Sequence, residues 1–263
     1  MSNSYQDVQV TFDGHVATVE MCKPPHNFFT IPLIRALADA FEDLEADRRC
    51  HAIVLAAQGT SFCAGADFSN RDATPPQRSP RALNPIYDEA IRMFACRKPV
   101  VAAVQGPAIG GGLGVALVAD FRVTCAEAKF SANFNRLGFH PGFGLSATLP
   151  RLVGVQKAAM LFYTGRRING TEAAAMGLAD LLVPQDQVRA VRGGQHAGRR
   201  SGAEAGARDR HLGPAGGSGH TRHPAPGPGR ADPPGRGARK RAAELAVQDR
   251  RLQGRRGRDG RSP

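Results

Sequence analysis

Ser61-Phe-Cys-Ala-Gly-Ala-Asp67 and Gly106-Pro-Ala-Ile-Gly-Gly-Gly-Leu-Gly114 are the stretches of this chain whose residues and spacing suit chemistry. Both contain glycines that let backbone N–H groups come close to a ligand. The second runs straight into Leu113-Gly-Val-Ala-Leu-Val-Ala119, a segment without a polar side chain that reads as a buried helix after a strand-to-helix turn. The first N–H groups of that helix, and its positive dipole end, would face whatever sits over Gly110 to Gly112. An enolate or alkoxide oxygen forming there would be stabilised, and loss of one such donor costs about 3–4 kcal/mol in the transition state. A single glycine-rich turn has a plainer use in close helix–strand packing. Two of them can make an oxyanion hole of two amides.

The elements around the loops are those of an α/β protein. Ile53-Val-Leu55 precedes the first loop and Val100-Val-Ala-Ala-Val104 the second, and both read as buried strands. Val8-Gln-Val-Thr-Phe12 and His15-Val-Ala-Thr-Val-Glu20 read as a hairpin turning at Asp13-Gly14. Thr30 and Pro32 open a helix whose Ile34, Leu37, Phe41 and Leu44 form an apolar face, with Glu42, Asp43 and Glu45 outside. Arg71 to Pro85, rich in Pro and Arg, reads as a loop.

Further motifs follow the first loop in order: Lys98-Pro-Val-Val-Ala-Ala-Val-Gln-Gly106 with Gly110-Gly-Gly112, Ala128-Lys-Phe130, Leu137-Gly-Phe-His-Pro-Gly-Phe-Gly144, Gly165-Arg-Arg-Ile168 and Ala175-Met-Gly-Leu-Ala-Asp180. With Phe62-Cys-Ala-Gly-Ala-Asp67 they give a sequence that resembles the crotonase superfamily, the enoyl-CoA hydratase/isomerase family, over residues 7 to 188. The resemblance implies a spiral of ββα units that binds acyl-CoA thioesters and holds the thioester oxygen between two backbone amides. By position those amides belong to Ala66 and Gly111. It further implies that Ala64, Asp67 and Phe68 line the bent path of coenzyme A and acyl chain, and that Asn27 lies in the first substrate-contacting loop. Gly114, Asn133, Phe134 and Gly142 would border the acyl group. No metal is expected, and no cofactor beyond the coenzyme A of the substrate. Relatives of this kind form trimers or hexamers.

The departures from that family are as informative. Its hydratases carry glutamates at the positions of Gly114 and Phe134, and its Δ3,Δ2-enoyl isomerases an acid at the position of Gly142. Hydration needs a base for water and an acid for the α-carbon, so this chain should not be an efficient hydratase. His140 stands where an aliphatic residue is expected, and an imidazole there could exchange protons near neutral pH. Asn133, Arg136, Asp67 and Tyr87 are further candidates. A lone loop histidine also has a structural reading, as does His26 before the first helix, and Phe134 could simply fill the acyl pocket.

The net charge of +12 would ordinarily suggest a nucleic-acid partner, but it is unevenly placed. Residues 1–188 carry seventeen basic and seventeen acidic side chains, while residues 189–263 carry eighteen basic and six acidic ones. The first span therefore reads as the acyl-CoA-binding core. The second has no Phe, Tyr, Ile, Met, Cys or Asn and holds 16 of the 31 glycines, a composition that cannot offset its ordering entropy, so disorder is expected. It lacks the aromatic side chains that stack on bases, and no nucleic-acid partner is expected. Gly, Ala, Arg and Pro belong to G- and C-rich codons, which points to a reading frame that slips between Val188 and Gln195. Shifted by one base, Asp249 to Gly260 can be read as Thr-Ala-Asp-Phe-Lys-Asp-Gly-Val-Ala-Ala-Met-Ala, similar to the closing helix of enoyl-CoA hydratase relatives. The expected consequence is a chain without the C-terminal helices that cover the acyl pocket and build the trimer, and therefore poorly active.

Five cysteines in no metal-binding spacing favour reduced thiols and a cytoplasmic location. Met1 to Asp7 lack the pattern of a signal peptide, and Val100 to Ala119 contain Gln105, Pro107 and five glycines, which excludes a membrane span. Three functions compete: an acyl-CoA isomerase, hydrolase or lyase working through an enolate; an acyl-CoA binder that has lost catalysis; and, with support from the tail alone, a nucleic-acid binder.

Overall fold

The computed structural model describes residues 3–66 and 85–190 of the 263. Asp67, Phe68, nearly all of the Arg71–Pro85 loop and the basic tail from residue 191 lie outside the described residues.

Strands β1 (Asn3–Tyr5), β2 (Val8–Asp13) and β3 (Val16–Met21) form an antiparallel meander. The β2–β3 turn is Gly14-His15, one residue later than the Asp-Gly pair suggests, because Asp13 still pairs with Val16. Helix α1 (Ile31–Ala46) begins as expected: Thr30 caps it by accepting from the Leu33 N–H, and Leu33, Ile34, Leu37, Phe41 and Leu44 are buried. The chain then alternates: β4 (Ala52–Ala57), α2 (Pro85–Ala95), β5 (Val100–Val104), β6 (Ala108–Ile109), α3 (Gly111–Ala116), β7 (Phe121–Thr124) and β8 (Lys129–Ser131). A 3-10 helix at Asn133–Leu137 leads to α4 (Leu145–Val153) and α5 (Val155–Thr164). β9 (Ile168–Asn169), α6 (Gly170–Met176), β10 (Leu181–Leu182) and α7 (Gln185–Val188) follow.

One sheet runs in the order β1-β2-β3-β4-β5-β7-β10 and is parallel from β3 onward. A second, β6-β8-β9, is extended by isolated bridges from Ala108 to Cys63 and from Ala66 to Phe29. Each turn of chain thus contributes to the large sheet, then to the small stack, and returns through a helix, which is the spiral of ββα units. Arg122 locks its last described turns together. Its guanidinium, 1% exposed, donates to the carbonyls of Ala119, Asp120 and Leu178 and pairs with Asp180. Among the described residues no helix is long and apolar enough to cross a membrane.

Helices α1 and α2 are joined by an ion-pair clamp that orients the element leading back from the first glycine-rich loop. Arg92 reaches Asp39 at 2.6 Å and Glu42 and Glu89 at 2.5 Å, and Arg35 reaches Glu89 at 2.8 Å. Arg92 holds the Glu42 carboxyl below its usual range. At Glu89 burial pushes upward, yet Arg35 and Arg92 together bring this carboxyl down as well. Both groups are more acidic folded than unfolded. Their contribution is therefore present above the unfolded value of about 4.3 and lost as the pH falls through the lower folded values. Urea titrations are expected to show a midpoint that drops between pH 5 and pH 3, with a shallower drop in Arg92→Met.

Candidate active site

The two glycine-rich loops lie side by side as consecutive turns of the spiral. Cys63 donates its N–H to the Pro107 carbonyl and accepts from the Ile109 N–H, both at 3.0 Å. Three residues beyond the bridged pair Cys63 and Ala108 stand Ala66 and Gly111. Among the described residues no acceptor meets the N–H of either one. The loops are held this close because their neighbours lack side chains. A Cβ on Gly65, at φ +90°, would stand 2.8 Å from the Ile109 carbonyl oxygen, and one on Gly112 only 2.0 Å from that of Cys63. Over Gly111 the space is taken by the Phe29 ring, 2.0 Å from the same point.

Gly110, at φ +56°, turns the chain from β6 into α3; its N–H donates to the Ser131 carbonyl at 2.8 Å and its carbonyl accepts from Leu113. The helix therefore starts at Gly111, two residues before the apolar run suggests, and is only six residues long. Its dipole is correspondingly small, which leaves the local N–H groups of the first turn as the electrostatic element.

The segment feeding the first loop is fixed by two carboxamides. Asn27, fully buried at φ +47°, accepts from the Lys23 N–H at 3.0 Å and donates to the carbonyls of Gln58 at 2.6 Å and Ser61 at 2.9 Å. The sequence places Asn27 in the substrate loop. Its side chain instead shapes that loop from within, having every polar atom engaged by the protein backbone. Gln105 donates to the Ala57 carbonyl at 3.1 Å and faces those of Gly59 and Ser61. His26 meets the Ser61 hydroxyl at 3.3 Å, in keeping with a structural role, and the Ala64 N–H donates to the His26 carbonyl. Burial pushes the Cys63 thiol up to about 12, so a thiolate nucleophile beside the loop is unavailable at neutral pH.

Aromatic groups stand at or against positions 114, 134 and 142. A Cβ on Gly114 would lie 2.6 Å from the Cβ of Phe143, a buried residue whose ring packs tilted against Phe29 and Phe94, with centroids 6.1 and 6.4 Å apart. Phe134, half-buried, lies 4.0 Å from the Cβ point of Gly110, and the Asn133 side-chain oxygen 3.2 Å from that point. At Gly142 the corresponding point is 2.6 Å from the Tyr87 hydroxyl and 3.5 Å from Phe134. Gly110, Asn133, Phe134, Gly142 and Tyr87 are thus brought together, while Ala66 and Gly111 both adjoin Phe29. His140 is exposed in the loop that leads to Gly142, and its Nδ1–H donates to the Pro141 carbonyl at 2.9 Å. Arg136, also exposed, packs beside Gly165.

The profile of the enoyl-CoA hydratase/isomerase family matches residues 11–193. A probable enoyl-CoA hydratase of Mycobacterium tuberculosis is 38% identical over 190 residues, which cover 71% of this chain and 73% of that protein. The peroxisomal bifunctional enzyme of Homo sapiens is 36% identical over 173 residues, 66% of this chain but 23% of that much longer protein. The crystal structure of enoyl-CoA hydratase from Bacillus anthracis superposes with a TM-score of 0.66 at 30% identity, over 70% of this chain and 73% of that one.

Proposed function

Because the chain belongs to the enoyl-CoA hydratase/isomerase family, we propose that it holds an acyl-CoA thioester oxygen between the N–H groups of Ala66 and Gly111. The enolate that forms when the α-carbon loses a proton carries its charge on that oxygen, where two preset donors stabilise it without reorganising. The observation that carries this reading is the pairing of Cys63 with Ala108, which aligns the loops so that both unengaged amides fall three residues further on. Ala64, Asn133, Phe134, Gly142, Asp67 and Phe68 would line the path of the ligand. Isomerisation, thioester hydrolysis and carbon–carbon cleavage all use such an amide pair. The two-glutamate route to hydration does not fit, since Gly114 and Phe134 supply no carboxylate and Phe143 fills the space beside Gly114. Gly114, Phe134 and Gly142 favour a second reading, an acyl-CoA binder without turnover.

Calorimetric titration with butyryl-CoA and with S-butyl-CoA, which lacks the carbonyl, tests the amide pair. The thioester is expected to bind about tenfold more tightly, from two hydrogen bonds of roughly 0.5–1.5 kcal/mol each. Equal affinities would remove the amides from the mechanism. Binding without turnover across saturated, 2-enoyl and 3-enoyl thioesters would select the second reading.

The family match ends at residue 193, within the Val188–Gln195 window, which supports the reading that the remaining sequence is out of frame. Val155 and Tyr163 on α5, 75% and 81% exposed, are the apolar surface that such a loss of cover would leave. Sequencing the DNA of codons 186–196 decides the matter.

A further inference from the structure

We propose that the Tyr87 hydroxyl is the proton carrier opposite the Ala66 and Gly111 amides. This rests on the acyl-CoA reading and adds to it a group that the amides cannot supply.

Tyr87 lies in the first turn of α2, the helix reached directly after the segment that follows Ala66, and is 36% exposed. Its oxygen stands 2.6 Å from the point where a Cβ of Gly142 would be, and Cε1 of Phe134 stands 3.5 Å from the same point. The other edge of that ring, Cε2 and Cζ, lies 4.0 Å from the Cβ point of Gly110, the residue immediately before Gly111. The same phenyl ring therefore adjoins both the hydroxyl and the residue before Gly111. A thioester whose oxygen is held by the amides would lay its α-carbon along the edge of this ring, toward the phenol.

The other groups on this wall cannot do the work. Phe29, Phe134 and Phe143 carry no exchangeable proton, and the Asn133 carboxamide neither gains nor loses one in water. His140 stands on the exposed part of its loop with Nδ1–H directed at the Pro141 carbonyl. The phenol is the acid–base group of the wall among the described residues.

The step balances with solvent water as the only co-reactant. Once the phenol of Tyr87 has given its proton to water, the phenolate oxygen takes the α-proton; the C–H electron pair becomes the carbon–carbon π bond of the enolate. The carbonyl π pair moves onto the oxygen held by the two amides. Return of the proton from the phenol to carbon restores the thioester.

The experiment follows loss of the α-proton signal of butyryl-CoA in D2O by NMR, with the full chain. Wild type is expected to exchange. Tyr87→Phe is expected to slow exchange by about 10²-fold or more, with butyryl-CoA affinity unchanged. A site-specific 3-fluorotyrosine at position 87, nearly isosteric but more acidic, should keep the fold and shift the exchange rate, which a purely structural hydroxyl would not do. Exchange at the wild-type rate in Tyr87→Phe, or exchange lost in His140→Ala while it survives in Tyr87→Phe, overturns the assignment. Wild type that binds butyryl-CoA but does not exchange overturns it and leaves the acyl-CoA reading standing; wild type that does not bind butyryl-CoA overturns both.

Discussion

Gly112→Ala is expected to lower turnover of any acyl-CoA that the chain processes by about 10²–10³-fold, the loss typical of one oxyanion donor. The added methyl would stand 2.0 Å from the Cys63 carbonyl oxygen, 2.7 Å from its carbon and 2.9 Å from the Cys63 Cβ. None of these atoms can yield easily, because Cys63 is tied through both N–H and carbonyl to the backbone that carries Gly112. The clash is relieved only by parting the loops, and Gly111 then moves away from Ala66. The comparison that checks this is kcat/KM against the affinity for free coenzyme A. The first should collapse while the second stays nearly constant, and a variant that loses both equally would mean that the fold, not the amide spacing, had failed. Overpacking of this kind also costs stability, about 1–3 kcal/mol.

The second large effect is on stability and lies far from the site. Arg122→Met is expected to remove about 3–5 kcal/mol, chiefly because three carbonyls lose their donor at about 1–3 kcal/mol each. That is a large part of the roughly 5–15 kcal/mol that holds a domain together. Burial pulls the guanidinium of Arg122 toward its neutral form, and Asp180 opposes this. Met fills the space but leaves the carbonyls of Ala119, Asp120 and Leu178, each accepting at 2.7–3.0 Å in the native protein, without a donor. Urea unfolding measures the loss. Arg122→Lys should fall between the two, since a single ammonium cannot address three carbonyls and a carboxylate from one position. A variant of wild-type stability would show that relaxation or water replaces the donor.

What could be read from residue order was local or repeated. The β-branched runs before each loop, the cap at Thr30 and the apolar face of α1 announce themselves within a few residues, and the order of the motifs identified the spiral. The Gly-rich start of α3 did not, since glycine disfavours helix and packing against Cys63 and Phe29 overrides that preference. Arg122 looks like an ordinary strand residue until Leu178 and Asp180, more than fifty positions later, are brought to it. Phe143 over Gly114 and Tyr87 over Gly142 are likewise meetings of distant residues. At Asn27 the resemblance pointed only to the loop; that its side chain binds the carbonyls of Gln58 and Ser61, more than thirty positions on, could not be read from residue order.

The bridge between Cys63 and Ala108 has one more consequence. It ties the spacing of the two loops to a backbone ladder, of the order of the 4.8 Å between neighbouring strands. On the proposed reading the group that moves a proton stands instead on a side chain of the wall, Tyr87, beside positions 114, 134 and 142, where other side chains could stand. On the proposed reading, gripping the oxygen would thereby fall to the main chain and choosing the reaction to the side chains. Substitution on the wall could redirect the chemistry while the grip stays as it was.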